Sequence, residues 1–498
     1  MAQEAFEQLI EYLRSGHSRE LTHSELEAAL NERGRELLRL LFQAHVDTRG
    51  PGPAAGPVWG ADAVERNEQR LHERGLSTLF GEVRVTRLGY GAPGVDSLHP
   101  LDAELNLPAE QYSLGLRRKA AEHAAQLSFD ATVQFLAQQT GKEVGKRQVE
   151  ELVQRAAADF DGFYAQRTPE AGAASSSILA LSADGKGVVM LPRDLREPTR
   201  KAAQRRAHKL GQRLTKGEKR NAKRMATVAA VYTVGAHVRT PEQVLRTLAP
   251  YHEPAPARPP VEHKRVWASI EKSPQEVLEE AFSEGLRRDP GRQKTWVGLV
   301  DGNPTQLKLL EALARKHDIA LTIVLDVMHV AEYLWDASLA FHEEASEQRE
   351  QWVAERLLNV LRGHAVQVAA GMRRSATLRR LPAKQRAPVD DAADYLLNHK
   401  QYLHYDQYLA AGLPIATGVI EGACRHLVCD RMDQGARWSL KGAEAVLRLR
   451  ALRSSGDFEQ YWPYHETQEY QRNHVARYAD GNVVPVQGRK RPALRRVK

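Results

Sequence analysis

The chain has 498 residues, of which 42% are hydrophobic and 27% charged, enough for about two to four domains. No run approaches the roughly 18 apolar residues that a membrane helix needs, and the N-terminus is acidic where a secretory signal is basic, so we expect a cytoplasmic protein. The only cysteines, Cys424 and Cys429, exclude a disulfide scaffold and a four-thiolate zinc site. The net charge is +8, and it is unevenly distributed.

The N-terminal part, residues 1–107, is predicted to be an accessory region. Apolar residues at helical spacing predict two helices before residue 48. A stretch rich in Gly and Pro follows, and then LSTLFGEVRVTRLGY alternates apolar and polar residues. This alternation predicts a small strand hairpin.

Residues 108–160 have the pattern of a helix-turn-helix. In FDATVQFLAQQTGKEVGKRQVEELVQ, a turn with Gly141 separates two helices, and the second begins with Lys146, Arg147 and Gln148. In DNA-binding modules of this kind, that end of the second helix enters the major groove. We therefore predict that these three residues contact DNA. A plain helical hairpin is the alternative, because any two amphipathic helices joined through a glycine give this pattern.

Positive charge is concentrated in residues 193–224. This segment has thirteen Lys or Arg against three Asp or Glu, so its net charge of +10 exceeds that of the whole chain. We expect it to follow a phosphate backbone through residues such as Arg205, Arg206 and Lys209, although a solvated loop is the alternative. The tail QGRKRPALRRVK is also basic, and we expect it to become ordered only on a polyanion.

Between these basic segments the sequence predicts an α/β domain. The segments SSILALSADGKGVVML and MATVAAVYTVGAHV predict strands, and WVGLV and IALTIVL predict interior parallel strands joined by the helix PTQLKLLEALARKH. Residues 331–411 are predicted to be almost entirely helical, as are residues 418–453.

Three carboxylates stand where this domain would hold them rigidly. Asp184 and Asp301 each follow an apolar strand, and Glu421 lies early in a helix. Carboxylates that converge without basic partners repel one another unless a divalent cation neutralises them, and oxygen ligands suit two Mg²⁺ or Mn²⁺ ions. The alternatives are ordinary Asp-Gly turns and a glutamate that complements a helix dipole.

The order of these elements resembles the ribonuclease-H-like core of DDE transposases, and more closely the bacterial insertion-sequence transposases of the ISKra type. The resemblance runs from about residue 70 to residue 465. The segments that carry it are LFGEVRVTRLGY (79–90), LHPLDAELNLP (98–108), LSADGKG (181–187), VGLVDGN (297–303), VLDVMHVAEYL (324–334) and TGVIEGACRHLVCDRMDQGARWSLKGAEAVLRLRALRSSGDF (417–458).

The resemblance implies that Asp184, Asp301 and Glu421 are a catalytic, metal-binding triad. Asp326 competes with Asp301 for the second place, because it also ends a strand; we prefer Asp301, which would end the fourth strand of such a core. Asp326 and His329 share a helical face and could orient DNA or an outer-shell water. They could equally be a helix N-cap and an ordinary polar contact.

Three residues after Glu421 are predicted to bind DNA. Arg431 and Arg437 could neutralise phosphate, and Trp438 could stack on an unpaired base or be a core aromatic residue. Cys424 and Cys429 lack a fourth ligand and the usual spacing for zinc, so we expect buried thiols and no zinc.

The resemblance also implies a domain order and a function. A ribonuclease-H-like core over residues 172–335 and 413–460 would be interrupted by a helical insertion, residues 336–412, and followed by a basic tail, residues 461–498. The chain would be a DNA transposase that binds terminal inverted repeats and catalyses metal-dependent cleavage and strand transfer. It would be a homo-oligomer on double-stranded DNA in the bacterial cytoplasm, associated with the nucleoid. The alternatives are a nuclease that cuts without joining and a non-catalytic DNA-binding regulator.

Overall fold

The structure, a computed structural model, describes residues 2–168, 177–205, 222–248 and 257–487. It divides into two compact units, one formed by Met1–Gln166 with Asp457–Lys498 and the other by Arg167–Gly456. Among the described residues, no helix combines the length and the apolar character needed to cross a bilayer.

The first unit begins with three helices, where the sequence predicted two. The additional break follows Arg14, because the Ser15 side chain accepts a hydrogen bond from the Ser18 amide and starts a new helix. The next helix is started by a capping box between Thr22 and Glu25. The three helices are Ala2–Arg14, Gly16–Glu20 and His23–Arg49.

The predicted hairpin is part of a three-stranded antiparallel sheet in the order β1-β2-β3. Its strands are Glu68–Thr78 (β1), Gly81–Ala92 (β2) and Val95–Leu98 (β3). Val83 and Val85 alternate inward on β2 and pack with Leu76 and Leu101, as the alternating pattern predicted. A short helix, Pro100–Glu104, follows the sheet.

Both helices of the predicted helix-turn-helix are present. Gly141 ends the first with φ of 69°, a left-handed conformation that costs glycine little. Val149 and Val153 on the second helix are fully buried, so the helices share a packed core. The helices of this region are Leu114–Ala124, Phe129–Thr140, Lys146–Ala156 and Phe160–Gln166.

The C-terminal part does not follow the predicted boundary at residue 461. A helix, Phe458–Asn473, crosses it and belongs to the first unit, where the Tyr461 hydroxyl donates to the Ala156 carbonyl at 2.6 Å. Residues 488–498, which include all but the first residue of the basic segment QGRKRPALRRVK, lie outside the described residues.

The second unit contains a mixed five-stranded sheet in the order β6-β5-β4-β7-β8. β4, β5 and β6 pair antiparallel, whereas β7 runs parallel to β4 and β8 runs parallel to β7. The strands are Ile178–Val189 (β4), Lys223–Val234 (β5), Val261–Ser269 (β6), Thr295–Val300 (β7) and Leu321–Leu325 (β8).

Helices surround this sheet, and the helical stretch predicted for residues 331–411 is present. The single helical stretch predicted for residues 418–453 is interrupted, because residues 433–439 are not helical. The α-helices are Glu197–Gln204, Pro241–Leu248, Pro274–Arg288, Pro304–Lys316, Val327–Ser338, Glu347–Leu361, Ala365–Leu378, Ala383–Asn398, Tyr405–Ala410, Gly418–Ala423, Asp430–Met432 and Leu440–Ser454.

The strand β6 was not predicted, because charged residues interrupt its apolar pattern. Its Arg265 is buried, and Nη1 donates to the Glu284 carboxylate at 2.6 Å. Arg288 donates to the same carboxylate at 2.7 Å. Burial alone would raise the pKa of Glu284, but the two arginines outweigh it and lower that pKa to about 2.

We expect Glu284→Gln to lower the free energy of unfolding by about 3–5 kcal/mol, because two buried guanidinium groups lose their counter-charge. The folded pKa of about 2 lies below the unfolded value of about 4.5, so this stabilisation is complete above pH 4.5 and is lost as pH falls toward 2. Urea unfolding at pH 7 and pH 3.5 measures both effects. Glu279→Gln, which removes a half-exposed partner of Lys316, is the control and should cost under about 1 kcal/mol. Equal losses in the two variants would contradict the assignment.

Candidate functional site

The predicted carboxylates stand at one level of the sheet. β4 and β7 pair in parallel through Ser182 and Leu299, so the same register two residues later places Asp184 beside Asp301. β7 and β8 pair through Val300 and Leu325, so Asp326 follows at the same level one strand further. Three adjacent strands therefore carry an aspartate at this level: Asp184 lies within β4, Asp301 directly follows β7, and Asp326 directly follows β8.

A helix crosses this edge and contacts both outer aspartates. Thr417 precedes the helix Gly418–Ala423, and its hydroxyl donates to Asp326 Oδ2 at 2.7 Å. Cys424 continues the helix, and its thiol donates to Asp184 Oδ2 at 3.2 Å. Glu421 lies between these two residues in sequence and, at helical spacing, on the same face.

The distance between Thr417 and Cys424 along the helix matches the distance between the two outer strands. Seven residues of α-helix rise about 10.5 Å between Thr417 and Cys424. Two strand spacings, from Asp184 across the middle strand to Asp326, span about 9.6 Å. Because the helix is tied to both outer strands, the backbone of Glu421 lies between the two contacts along the helix, and its side chain is exposed.

Asp184 is half-buried and held by three donors. Its Oδ1 accepts from the Gly185 amide at 2.6 Å, and its Oδ2 lies 2.9 Å from Lys186 Nζ as well as near Cys424. Burial, followed by the Asp184 carboxylate, raises the pKa of the Cys424 thiol well above its ordinary value. The thiol is therefore protonated at neutral pH and acts as a hydrogen-bond donor.

Asp301 is positioned by the helix Ala383–Asn398 and the residue that follows it. The Tyr395 hydroxyl donates to the Asp301 carbonyl oxygen at 2.9 Å, and His399 Nε2 lies 3.1 Å from the Gly302 carbonyl oxygen. Gly302 has φ of 93°, and a Cβ there would lie 3.0 Å from the Tyr395 hydroxyl. The turn after β7 thus needs glycine both for its backbone conformation and for this close approach.

Asp326 is a helix N-cap with both oxygens engaged. It is 3% exposed; its Oδ1 accepts from the amides of Met328 and Thr417 at 3.1 and 3.2 Å, and its Oδ2 accepts from the Thr417 hydroxyl. His329 Nδ1 lies 3.1 Å from Glu332, and its ring packs edge-on against Tyr395. In the structure Asp326 is therefore a helix N-cap, which is the alternative that the sequence offered for it.

Two of the three residues predicted to bind DNA after Glu421 are in the interior. Arg431 is 3% exposed and Trp438 is 5% exposed, and the guanidinium lies 4.7 Å from the indole centroid. The Trp438 indole nitrogen donates to the Met432 carbonyl at 3.3 Å. In this arrangement Trp438 is a core aromatic residue and does not reach a base, while Arg437 is exposed.

The other predicted DNA contacts are on the surface where they are described. Lys146 and Arg147 are exposed at the start of their helix and pair with Asp130 and Glu151, whereas Gln148 is half-buried. Arg205 is exposed. Arg206 and Lys209 lie outside the described residues.

The donor type at this edge suits Mg²⁺ or Mn²⁺, because all the acidic ligands offer carboxylate oxygens. The side chains do not converge on a metal position in this structure. Across the parts of the chain that it describes, no group of three or more His, Cys, Asp or Glu side chains is arranged to hold a metal ion. Lys186 Nζ already pairs with Asp184 Oδ2 at 2.9 Å. The backbone register and the donor chemistry fit a divalent cation, and the side-chain directions must change to receive one.

Sequence reasoning missed several residues of this site. Cys424 was considered only as a buried thiol and the contact of Thr417 with Asp326 was not predicted, although their spacing from Glu421 places all three on one helical face. That spacing could have revealed them. Tyr395 lies 94 residues from Asp301, and no sequence signal joins the two.

The comparisons with known proteins add little. No family model matches the sequence, and no curated protein matches it. Among solved structures, the chain is similar to the Drosophila P element transposase strand transfer complex, with a TM-score of 0.23 and 9% identity over 74% of this chain and 83% of that chain. At this TM-score the likeness carries no conclusion about fold or function.

We expect Thr417→Val to lower the free energy of unfolding by about 1–3 kcal/mol, because the buried Asp326 carboxylate loses a donor. Thr417→Ser keeps the hydroxyl and should stay within about 1 kcal/mol of the wild type. Urea denaturation of the two variants measures the difference. If the valine variant is as stable as the serine variant, the hydroxyl does not hold the helix to the sheet.

Proposed function

We propose that the protein is a DNA transposase of the DDE class, with a ribonuclease-H-like core in its second unit. The observation that carries the proposal is the helix through Glu421, which is tied to Asp326 at one end and to Asp184 at the other, with Asp301 on the strand between them. The order of elements supports the same reading: a strand with Asp184, two further antiparallel strands, a helix, a strand before Asp301, a crossover helix, a strand, several helices, and the Glu421 helix.

We assign the metal-binding triad to Asp184, Asp301 and Glu421. A divalent cation bound there would neutralise phosphate charge and favour ionisation of the attacking hydroxyl. Asp301 suits the second place better than Asp326, because it is half-buried and only its Oδ1 accepts a described hydrogen bond, from the Asn303 amide at 3.0 Å. Both oxygens of Asp326 are already engaged.

The surrounding residues keep these carboxylates in place. Tyr395 fixes the backbone of Asp301, and Cys424 fixes Asp184. Thr417 Oγ lies 3.1 Å from Glu421 Oε1 as well as 2.7 Å from Asp326. A hydroxyl has one proton to donate, so the shorter contact takes it, and Glu421 is left free to turn toward a cation.

In the proposed reaction, water attacks the phosphodiester at the end of the element and releases a 3′-hydroxyl. That hydroxyl then attacks a phosphodiester of the target DNA, so each step exchanges one P–O bond for another. Lys146, Arg147 and Gln148 would recognise the terminal inverted repeats, while residues 193–224 and Arg437 would follow the phosphate backbone. A homo-oligomer would hold two element ends together.

We expect Asp184→Asn, Asp301→Asn and Glu421→Gln each to lower DNA cleavage by at least about 10²–10³-fold while leaving DNA binding intact. The assay uses Mg²⁺ and a plasmid with the native flanking DNA, and sequencing scores cut and joined ends. Titration calorimetry with Mn²⁺ alone provides a second readout, in which the three variants should also bind the ion more weakly. Asp318→Asn, which changes a 94% exposed carboxylate before the opposite end of β8, is the matched control and should retain cleavage.

Each other outcome has a definite meaning. Ends that are cut but not joined would favour a nuclease, and DNA binding without cleavage would favour a regulator. Cleavage retained in one of the three variants would remove that residue from the triad.

For the helix-turn-helix, we expect the double variant Lys146→Gln and Arg147→Gln to weaken binding to the terminal repeats more than binding to unrelated DNA, because contacts to bases are lost. It should also reduce the slope of log affinity against log salt, because two positive charges leave the DNA interface. Fluorescence anisotropy over a series of salt concentrations measures both. Lys119→Gln, on the helix Leu114–Ala124 of the same unit, is the control. An unchanged slope would place the DNA contact elsewhere.

A further inference from the structure

The first unit contains a polar cavity of about 380 Å³ that the proposed function leaves unused. Both N-terminal segments that carry the family resemblance, residues 79–90 and 98–108, contribute to its lining. Among its lining residues are Arg74, Arg87, His99, Asp102, Arg477 and Tyr478.

The wall of the cavity is positively charged. It carries four arginines and two aspartates, a net +2 when its histidines are neutral. Burial first, and then Arg87, lower the pKa of His99 to about 3, and burial likewise lowers that of His474 to about 4. Both imidazoles are therefore neutral at pH 7, and the excess positive charge belongs to the guanidinium groups.

Asp102 neutralises only part of this charge. Arg87 Nη1 donates to its Oδ2, and Arg74 Nη1 approaches the same oxygen at 3.8 Å. Arg477 is exposed at the cavity and donates to the Ser97 carbonyl at 3.2 Å. Arg472, also on the wall, is instead engaged by Asp159.

Three buried polar atoms of the lining have no hydrogen-bond partner among the described residues. They are two donors, Arg87 Nε and the Tyr478 hydroxyl, and one acceptor, Asp102 Oδ1. Tyr478 is 3% exposed and Asp102 is 9% exposed. Unpaired groups at this depth are costly, and a ligand that supplies acceptors together with one donor would satisfy all three.

We propose that this cavity binds a phosphate monoester or inorganic phosphate. Its oxygens accept from the guanidinium groups and from Tyr478, and its remaining P–OH donates to Asp102 Oδ1. Sulfate has the same shape but no proton at neutral pH, so it would meet the Asp102 carboxylate as a second anion. The volume exceeds that of one phosphate and leaves room for the rest of an ester, such as the 5′ end of a DNA strand.

The test is titration calorimetry of the full chain at pH 6.5. One arm uses inorganic phosphate against sulfate, and the other uses a 5′-phosphorylated oligonucleotide against the same strand with a 5′-hydroxyl. The first arm needs no DNA activity, so this inference and the proposed function can fail separately.

Two variants report on the site. Tyr478→Phe removes a hydroxyl without a described partner, so the urea midpoint should not fall, while phosphate affinity should drop about tenfold. Arg477→Gln should weaken binding by a similar factor. Arg70→Gln makes the same charge change on an arginine that is 75% exposed and does not line the cavity, and should leave binding unchanged.

Either of two results supports the site: free phosphate that binds in preference to sulfate, or an oligonucleotide that binds more tightly with its 5′-phosphate, with the preference lost in both variants. Equal affinity for phosphate and sulfate together with no effect of the 5′-phosphate would overturn it. So would a preference that both variants retain.

Discussion

The candidate site depends on one helix being fixed across three neighbouring strands at the level of their aspartates. The Thr417 hydroxyl and the Cys424 thiol are small donors, and each meets the aspartate of an outer strand. Because the two contacts are about as far apart as two strand spacings, the helix cannot slide along the sheet without losing one of them. The position of Glu421 therefore follows from two hydrogen bonds that it does not itself make.

Such an arrangement concentrates negative charge, and the fold offsets it with neighbours of different kinds. Lys186, two residues along β4 and on the same face as Asp184, provides a full positive charge. Cys424 and Thr417 provide neutral donors, and backbone amides serve Asp326. The chain thus carries an internal counter-ion for Asp184, and a divalent ion bound to this carboxylate would have to compete with it.

The parts that could be predicted from the sequence are those with local periodicity. The helices after residue 331, the helix-turn-helix and four of the five strands follow from apolar spacing. β6 was not predicted from apolar spacing, because its buried Arg265 interrupts that spacing. The arginine is paired with Glu284, which lies on the helix Pro274–Arg288. Asp184 and Asp301 were predicted from their place after apolar runs, Glu421 from its place early in a helix, and the triad from a resemblance. The hydrogen bond from Tyr395 to Asp301 joins residues that are 94 positions apart, so no local pattern in the sequence predicts it.

The turn that follows Glu421 is a π-helix, Cys424–Cys429, and this has a geometric consequence. A π-turn holds one residue more than an α-turn, which rotates everything after it by about 100° relative to a regular α-helix. Upstream, one face of the helix meets the acidic edge of the sheet. Downstream, the shifted phase turns Arg431 inward onto Trp438. Because of this one additional residue, the first part of the helical segment faces the acidic edge of the sheet. Its later part packs into the interior.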